Sequence, residues 1–219
     1  MQLITSNSKT DKSNKFDTSI HTGIVQLYPN KKTCPSSTKE CLKHCLVNSG
    51  MGNMPSVKKA RKERTAYFMK RPDDFWEQLD AEITLQKVKL KMQGKKLALR
   101  INGFSDIEIP TKLFKKHNDV QFYDYTKNYS FLSKSNRWKN YHLTFSYSGN
   151  NLEDCKKALK RGFNVALVAR DKSSVYKLFK NNNIIDGDSH DLRFLDPKNS
   201  IVMLSPKGVN KSLKNDFIN

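Results

Sequence analysis

Apolar and β-branched runs five or six residues long recur along the chain, separated by stretches whose apolar positions fall every three or four residues. The runs Gly23–Tyr28, Leu97–Asn102, Val120–Tyr125, Tyr141–Ser146, Val165–Ala169 and Ile201–Ser205 predict six strands, each buried on both faces. Between them, Ser56–Lys70, Asp74–Leu90, Thr111–His117 and Leu152–Arg161 predict helices, and a shorter helical stretch lies between Asp171 and Asn183. Asp74 with Glu77 three residues later predicts a capping box, and Gly162 a helix terminus.

Strands alternating with helices define an α/β protein with a parallel sheet and right-handed crossovers. Six such units suit a (βα)6-like partial barrel, with an open parallel α/β sheet as the alternative. Either architecture gathers functional side chains at the carboxyl ends of the strands. Residues 1–20, rich in Ser, Thr, Asn and Lys, read as a flexible polar N-terminal arm, and residues 21–219 as a single α/β domain.

Composition narrows this picture. With 37% hydrophobic and 28% charged residues over 219 positions, the chain is globular in class rather than disordered. It has no apolar run approaching the roughly 20 residues that span a bilayer, and Met1–Thr22 lacks the apolar segment of a signal peptide. The expected location is a reducing cytoplasm, with no membrane partner. Forty Lys and Arg against 21 Asp and Glu give a net charge of +19. Such a charge favours polyanions, so nucleic acid is the expected partner, DNA ahead of RNA. A merely soluble, lysine-rich surface is the plainer alternative.

Three of the four cysteines, Cys34, Cys41 and Cys45, follow the first predicted strand. In a reducing compartment a thiol cluster points to metal rather than disulfides. Cys41 and Cys45 are four apart and would share a helix face, with Cys34 approaching from the preceding loop. An iron–sulfur cluster held by three thiolates needs no fourth protein ligand. Zinc is the alternative, and would take a fourth ligand from His21, His142 or His190. Cys155 reads as a buried apolar residue.

Polar residues crowd the other strand ends. Asp106 follows the second strand, and Asp124 lies in the third, on the opposite face from Tyr123 and Tyr125. A buried Asp124 would need a partner such as Arg100 or Lys127. Asp186, Asp188, His190 and Asp191 form an acidic turn before the last strand. These carboxylates and the imidazole are candidates for acid–base or nucleophilic work. Closure of a barrel would bring that turn to the same rim as the cysteines. Lys58, Lys59, Arg61, Lys62 and Arg64 form the densest basic run, with Arg61 and Arg64 along one helical stripe suited to phosphates, and Arg100, Arg193 and Lys207 are further phosphate candidates. No phosphate-cradling GxxxxGK[ST] loop, GxGxxG fingerprint or GxSxG elbow is present.

Taken in order, several segments resemble a family of bacteriophage proteins named after a gene product 88. They are the cysteine cluster from Cys34 to Cys45, Leu97-Ala-Leu-Arg-Ile-Asn-Gly-Phe-Ser-Asp106 and Val120-Gln-Phe-Tyr-Asp-Tyr-Thr-Lys127. Tyr141–Ser146, Gly162–Val168, Asp186–Asp196 and Pro206–Gly208 continue the pattern. The resemblance implies a phage-encoded protein at work in the host cytoplasm, and supplies no activity. A weaker likeness is to radical-SAM enzymes, which would bring SAM as a cofactor. Here, however, the cysteines are spaced by six and then three residues, where that family uses three and then two. The glycine-rich segment that holds the methionine moiety is also missing. A second weak likeness is to barrel-fold base transglycosylases, which use two aspartates but place their zinc cysteines late in the chain.

The functional expectation is a nucleic-acid-binding enzyme that modifies or processes its ligand around a three-cysteine metal site. The rivals are a non-catalytic nucleic-acid-binding protein with a structural zinc, a base-transglycosylase-like barrel enzyme, and a small-molecule enzyme whose positive charge is incidental.

Overall fold

The computed structural model describes residues 1–180 and 182–207, so Gly208 and the end of the predicted domain lie outside the described residues. Its strands are β1 (Ile4–Thr5), β2 (Ile20–Val25), β3 (Lys96–Arg100), β4 (Gln121–Thr126), β5 (Tyr141–Ser146), β6 (Val165–Val168), β7 (Asn183–Asp186) and β8 (Ser200–Leu204). They form one sheet in the order β1-β2-β3-β4-β5-β6-β8-β7, parallel throughout except for β1 against β2. The helices are α1 (Ser8–Phe16), α2 (Lys39–Lys43), α3 (Pro55–Lys70), α4 (Pro72–Lys91), α5 (Thr111–Lys116), α6 (Tyr129–Ser135), α7 (Leu152–Lys160) and α8 (Lys172–Leu178).

All six predicted strands are present, but they do not close. A barrel needs its first and last parallel strands to pair, and here both edges are occupied otherwise. The antiparallel β1 covers the free edge of β2, and β7 lies outside β8. The open parallel sheet, not the partial barrel, is the architecture. β7 falls at the end of a stretch that periodicity reads as helical. As a half-exposed edge strand it lacks the apolar run of a strand buried on both faces.

The N-terminal segment also departs from expectation. Residues 1–20 are not a loose arm but carry β1 and α1. Leu3 and Ile4 enter the core, and Glu82 of α4 accepts the backbone N–H groups of both. A side chain on Gly23 would meet Ile4 Cγ2 at 2.7 Å, so a bare backbone lets β1 settle there. Asn7 and Thr10 form a reciprocal cap for α1, a local signal present in the sequence. The predicted Asp74 capping box is absent: α4 begins at Pro72, and Asp74 instead pairs with Arg71.

The two faces of the sheet differ in kind. One is apolar. Leu97, Leu99 and Phe122 pack with residues of α4 and α5, and Leu143, Phe145, Val165 and Ile201 with residues of α6, α7 and α8. Cys155 of α7 is fully buried there, as its reading as an apolar residue requires. The other face carries Arg100, Tyr123, Tyr125, His142 and Thr144, and is covered by α1 and the segment 187–196. Gly187 lets that segment start close to β8, since a Cβ there would meet Met203 O at 2.9 Å. Among the described residues no helix is long and apolar enough to cross a membrane.

Candidate functional site

Past the carboxyl end of β2 the chain turns at Asn30, whose side chain accepts the N–H groups of Lys32 and Thr33. Thr33 O accepts Asp106 N at 2.7 Å, tying this turn to the loop after β3. Cys34 then donates its thiol to Phe104 O at 3.3 Å. Thr38 caps α2 through Cys41 N, but α2 stops at Lys43. Cys45 therefore does not share a helix face with Cys41. It sits at the start of the 3-10 turn Leu46–Asn48. The three thiols are nevertheless electrostatic neighbours. Burial pushes the Cys34 thiol up to about 12, with Cys41 and Cys45 adding to the rise. Cys45 is raised too, by burial first and then by Cys41.

The Lys127 side chain bonds Cys41 and also lies beside Cys34 and Asp106; burial works to lower its pKa, and these three acidic neighbours raise it. Asp106 accepts Thr126 Oγ1 at 2.7 Å and Lys127 N at 2.9 Å, and burial shifts its pKa upward. Asp124, fully enclosed on the apolar face, is pushed up to about 8 by burial. Its hydrogen-bond partners are Asn102 N at 2.6 Å and Tyr141 Oη at 3.4 Å, not the expected Arg100 or Lys127 side chains. Cys34, Cys41, Cys45, Lys127 and Asp106 thus stand together where β2, β3 and β4 end, with Asp124 just inside. As donors, three sulfurs suit a thiophilic metal. Among the described residues, no three His, Cys, Asp or Glu side chains stand in the mutual arrangement of a metal cage.

The acidic turn lies elsewhere. Asp186 closes its own turn by accepting Asp188 N, and Asp188 accepts Ser205 N and pairs with Lys207 at the end of β8. Four strands separate β2 from β8. At roughly 4.8 Å per strand spacing that is about 24 Å. The two groups share the carboxyl end of the sheet but not a site, because the sheet does not close.

Asp191 returns across the polar face to β3 and β4. Its carboxylate, 1% exposed, accepts Arg100 Nη1 at 2.9 Å and Tyr125 Oη at 3.1 Å and pairs with Lys9 at 3.2 Å. Ser13 of α1 accepts Asp191 N at 2.8 Å. His190 stacks on Phe16 with ring centroids 4.0 Å apart, and Arg193, wholly buried, donates to His190 O and pairs with Asp196. Arg100 and Arg193 are therefore internal counter-ions rather than phosphate contacts. Lys9, Ser13 and His142, which no motif in the sequence marks for such a network, join them on this face.

The basic helix is likewise divided. Arg61 is buried, bonded to Gln26 Oε1 and Gly52 O, and lies 4.4 Å over the Phe104 ring. Arg64 donates to Gln2 O. Neither presents the phosphate stripe expected of the pair. Lys59 and Lys62 are exposed and Lys58 half-buried, so these lysines carry the outward charge of α3.

A family model described as Gene product 88 matches residues 1–218. No curated protein and no solved structure matches the chain.

Proposed function

The chain belongs to the Gene product 88 family, and from that premise and the geometry above we propose that it binds nucleic acid and processes or modifies it at a metal site held by Cys34, Cys41 and Cys45. The observation that supports the reading is that three thiols, though not in the mutual arrangement of a metal cage, gather near Lys127 and Asp106 at the carboxyl ends of neighbouring parallel strands. The segment 31–64 that supplies the thiols holds nine Lys and Arg against two Glu, so a polyanion drawn to this edge arrives beside the sulfurs. A three-thiolate iron–sulfur cluster would keep one iron open to a ligand. The Lys127 ammonium would offset the negative charge of the thiolates. Asp106, bonded to Thr126 Oγ1 and Lys127 N at this edge, is the carboxyl placed to act on a ligand, with the enclosed Asp124 behind it.

A structural zinc is the second reading, favoured by one observation. Between residues 30 and 54 the chain buries only Val47 among its apolar side chains, so a metal would supply folding energy the core does not. Anaerobic purification separates the two. The first reading expects brown protein containing iron and sulfide, with the colour lost in Cys34→Ala. Colourless protein with one zinc per chain would establish the second, and metal-free protein would remove both.

Nucleic-acid affinity is expected to fall steeply with added salt. Replacing Lys59 and Lys62 with Gln should lower the slope of log K against log salt by about 0.9 for each duplex phosphate no longer neutralised. Fluorescence anisotropy across a salt series measures this, and affinity that ignores ionic strength would reject nucleic acid as the partner.

A further inference from the structure

At the opposite, amino-terminal end of the strands lies a cavity of about 270 Å³ between the start of β5, the starts of β6 and β8, and the ends of α6 and α7. Its lining includes Ser135, Asn136, His142, Arg161, Asn164 and Lys198, with two cations and no carboxylate. Arg161 is held in place beforehand. Its guanidinium lies 5.5 Å from the Tyr129 ring and 5.6 Å from the Phe163 ring, and Nη2 donates to Ser133 Oγ at 3.0 Å. A guanidinium fixed this way keeps most of its donors for a planar or tetrahedral oxyanion.

Two lining residues also carry buried nitrogens without a hydrogen-bond partner, Asn164 Nδ2 and His142 Nε2. Asn164 is 1% exposed, and its Oδ1 accepts Ser200 N at 3.0 Å, which fixes the NH2 group as the unused end. Asn164 Nδ2 is thus a buried donor left unused just behind the cavity wall, the kind of group that calls for a ligand or water, while His142 Nε2 donates or accepts according to its tautomer.

One effect works against an anion here, because two helices point their carboxyl ends at the cavity. At α7 that effect is largely quenched. Leu159 O accepts Gly162 N, and Ala158 O accepts Phe163 N. What remains is a fraction of a charge against two full cations.

We infer that this cavity is a phosphate-binding site, sized for one phosphate group with a small organic substituent and separate from the thiol edge. The phosphate belongs either to a free mononucleotide or to the 5′ end of a strand.

The test is calorimetric titration of the full chain with inorganic phosphate at low ionic strength. One saturable site per chain is expected. Arg161→Gln with Lys198→Gln should weaken it at least tenfold, about the loss of one charge-assisted contact. Both residues are exposed, so the fold should survive, and thermal melting checks that. Lys172→Gln with Lys177→Gln, also exposed, removes the same charge from α8 and should leave binding unchanged. Absence of saturable phosphate binding, or equal weakening by both pairs, overturns the site. A 5′-mononucleotide that displaces phosphate assigns the free ligand. A 5′-phosphorylated oligonucleotide that binds better than its 5′-hydroxyl twin, with the gain lost in the Arg161 and Lys198 variant, assigns the strand end.

Discussion

Asp191→Ala is expected to remove about 3–5 kcal/mol of stability, the usual cost of leaving buried charges unpaired. The total stability of a domain is about 5–15 kcal/mol, so the loss is a large share. Asp191 is the common acceptor of Arg100, Lys9 and Tyr125, and the first two hold its carboxyl far below the ordinary carboxylate range despite burial. Without it, Arg100 keeps only the Gly103 O contact, at 3.2 Å, among its hydrogen bonds. The pH dependence follows from the depressed pKa. Stability from this carboxylate is fully present above the ordinary value of 3.8 and is lost as pH falls toward the much lower folded value. Urea unfolding at pH 7 measures the effect. A loss under about 1 kcal/mol, the range of an exposed ion pair, would show that the cluster does not hold the polar face together. Arg100→Met added to Asp191→Ala should recover part of the loss, because it removes the orphaned charge.

The second large effect has the opposite sign. Burial raises the Asp124 carboxyl from 3.8 to about 8, so the native state keeps a proton that the unfolded chain gives up. Stability from this group is full below pH 3.8 and declines as pH rises toward 8, by up to about 1.4 kcal/mol per unit. Asp124→Asn mimics the neutral form. Its carbonyl would still accept Asn102 N, and its NH2 would face Tyr141 Oη. The variant should match the parent near pH 4 and exceed it in stability at pH 7. Unfolding curves recorded from pH 4 to 8 test this, and parallel pH profiles for the two proteins would exclude the neutral carboxyl.

Much of the scaffold was legible because its signals are local. Six strands and the main helices follow from apolar runs and three-to-four-residue spacing, which the backbone geometry reads within a few neighbours. The closeness of Cys34, Cys41 and Cys45 follows from the few residues between them. The matching motifs indicated the family, which the family model then confirmed. Where the local signal was weak, expectation failed: β7 is a half-exposed edge strand, and β1 is two residues long. Segment 1–20 looked loose because its apolar anchors, Leu3 and Ile4, stand ahead of a polar helix.

The site residues divide in the same way. Arg61 and Arg64 have the spacing of a phosphate stripe, but helical spacing does not say which face meets the protein, and Gln26, Gly52 and Gln2 take them up. By itself, then, the sequence determined the α/β class, the positions of most elements, the thiol cluster and the +19 charge. Tertiary structure alone decided the strand order and the choice of ion partners. Asp191 meets Arg100 across 91 positions and Ser13 across 178. With 40 cations on the chain, no local rule selects which of them a given carboxylate will face. Strand order is nonlocal for the same reason. The pairing of β8 with both β6 and β7 keeps the sheet open, which holds the acidic turn away from the cysteines.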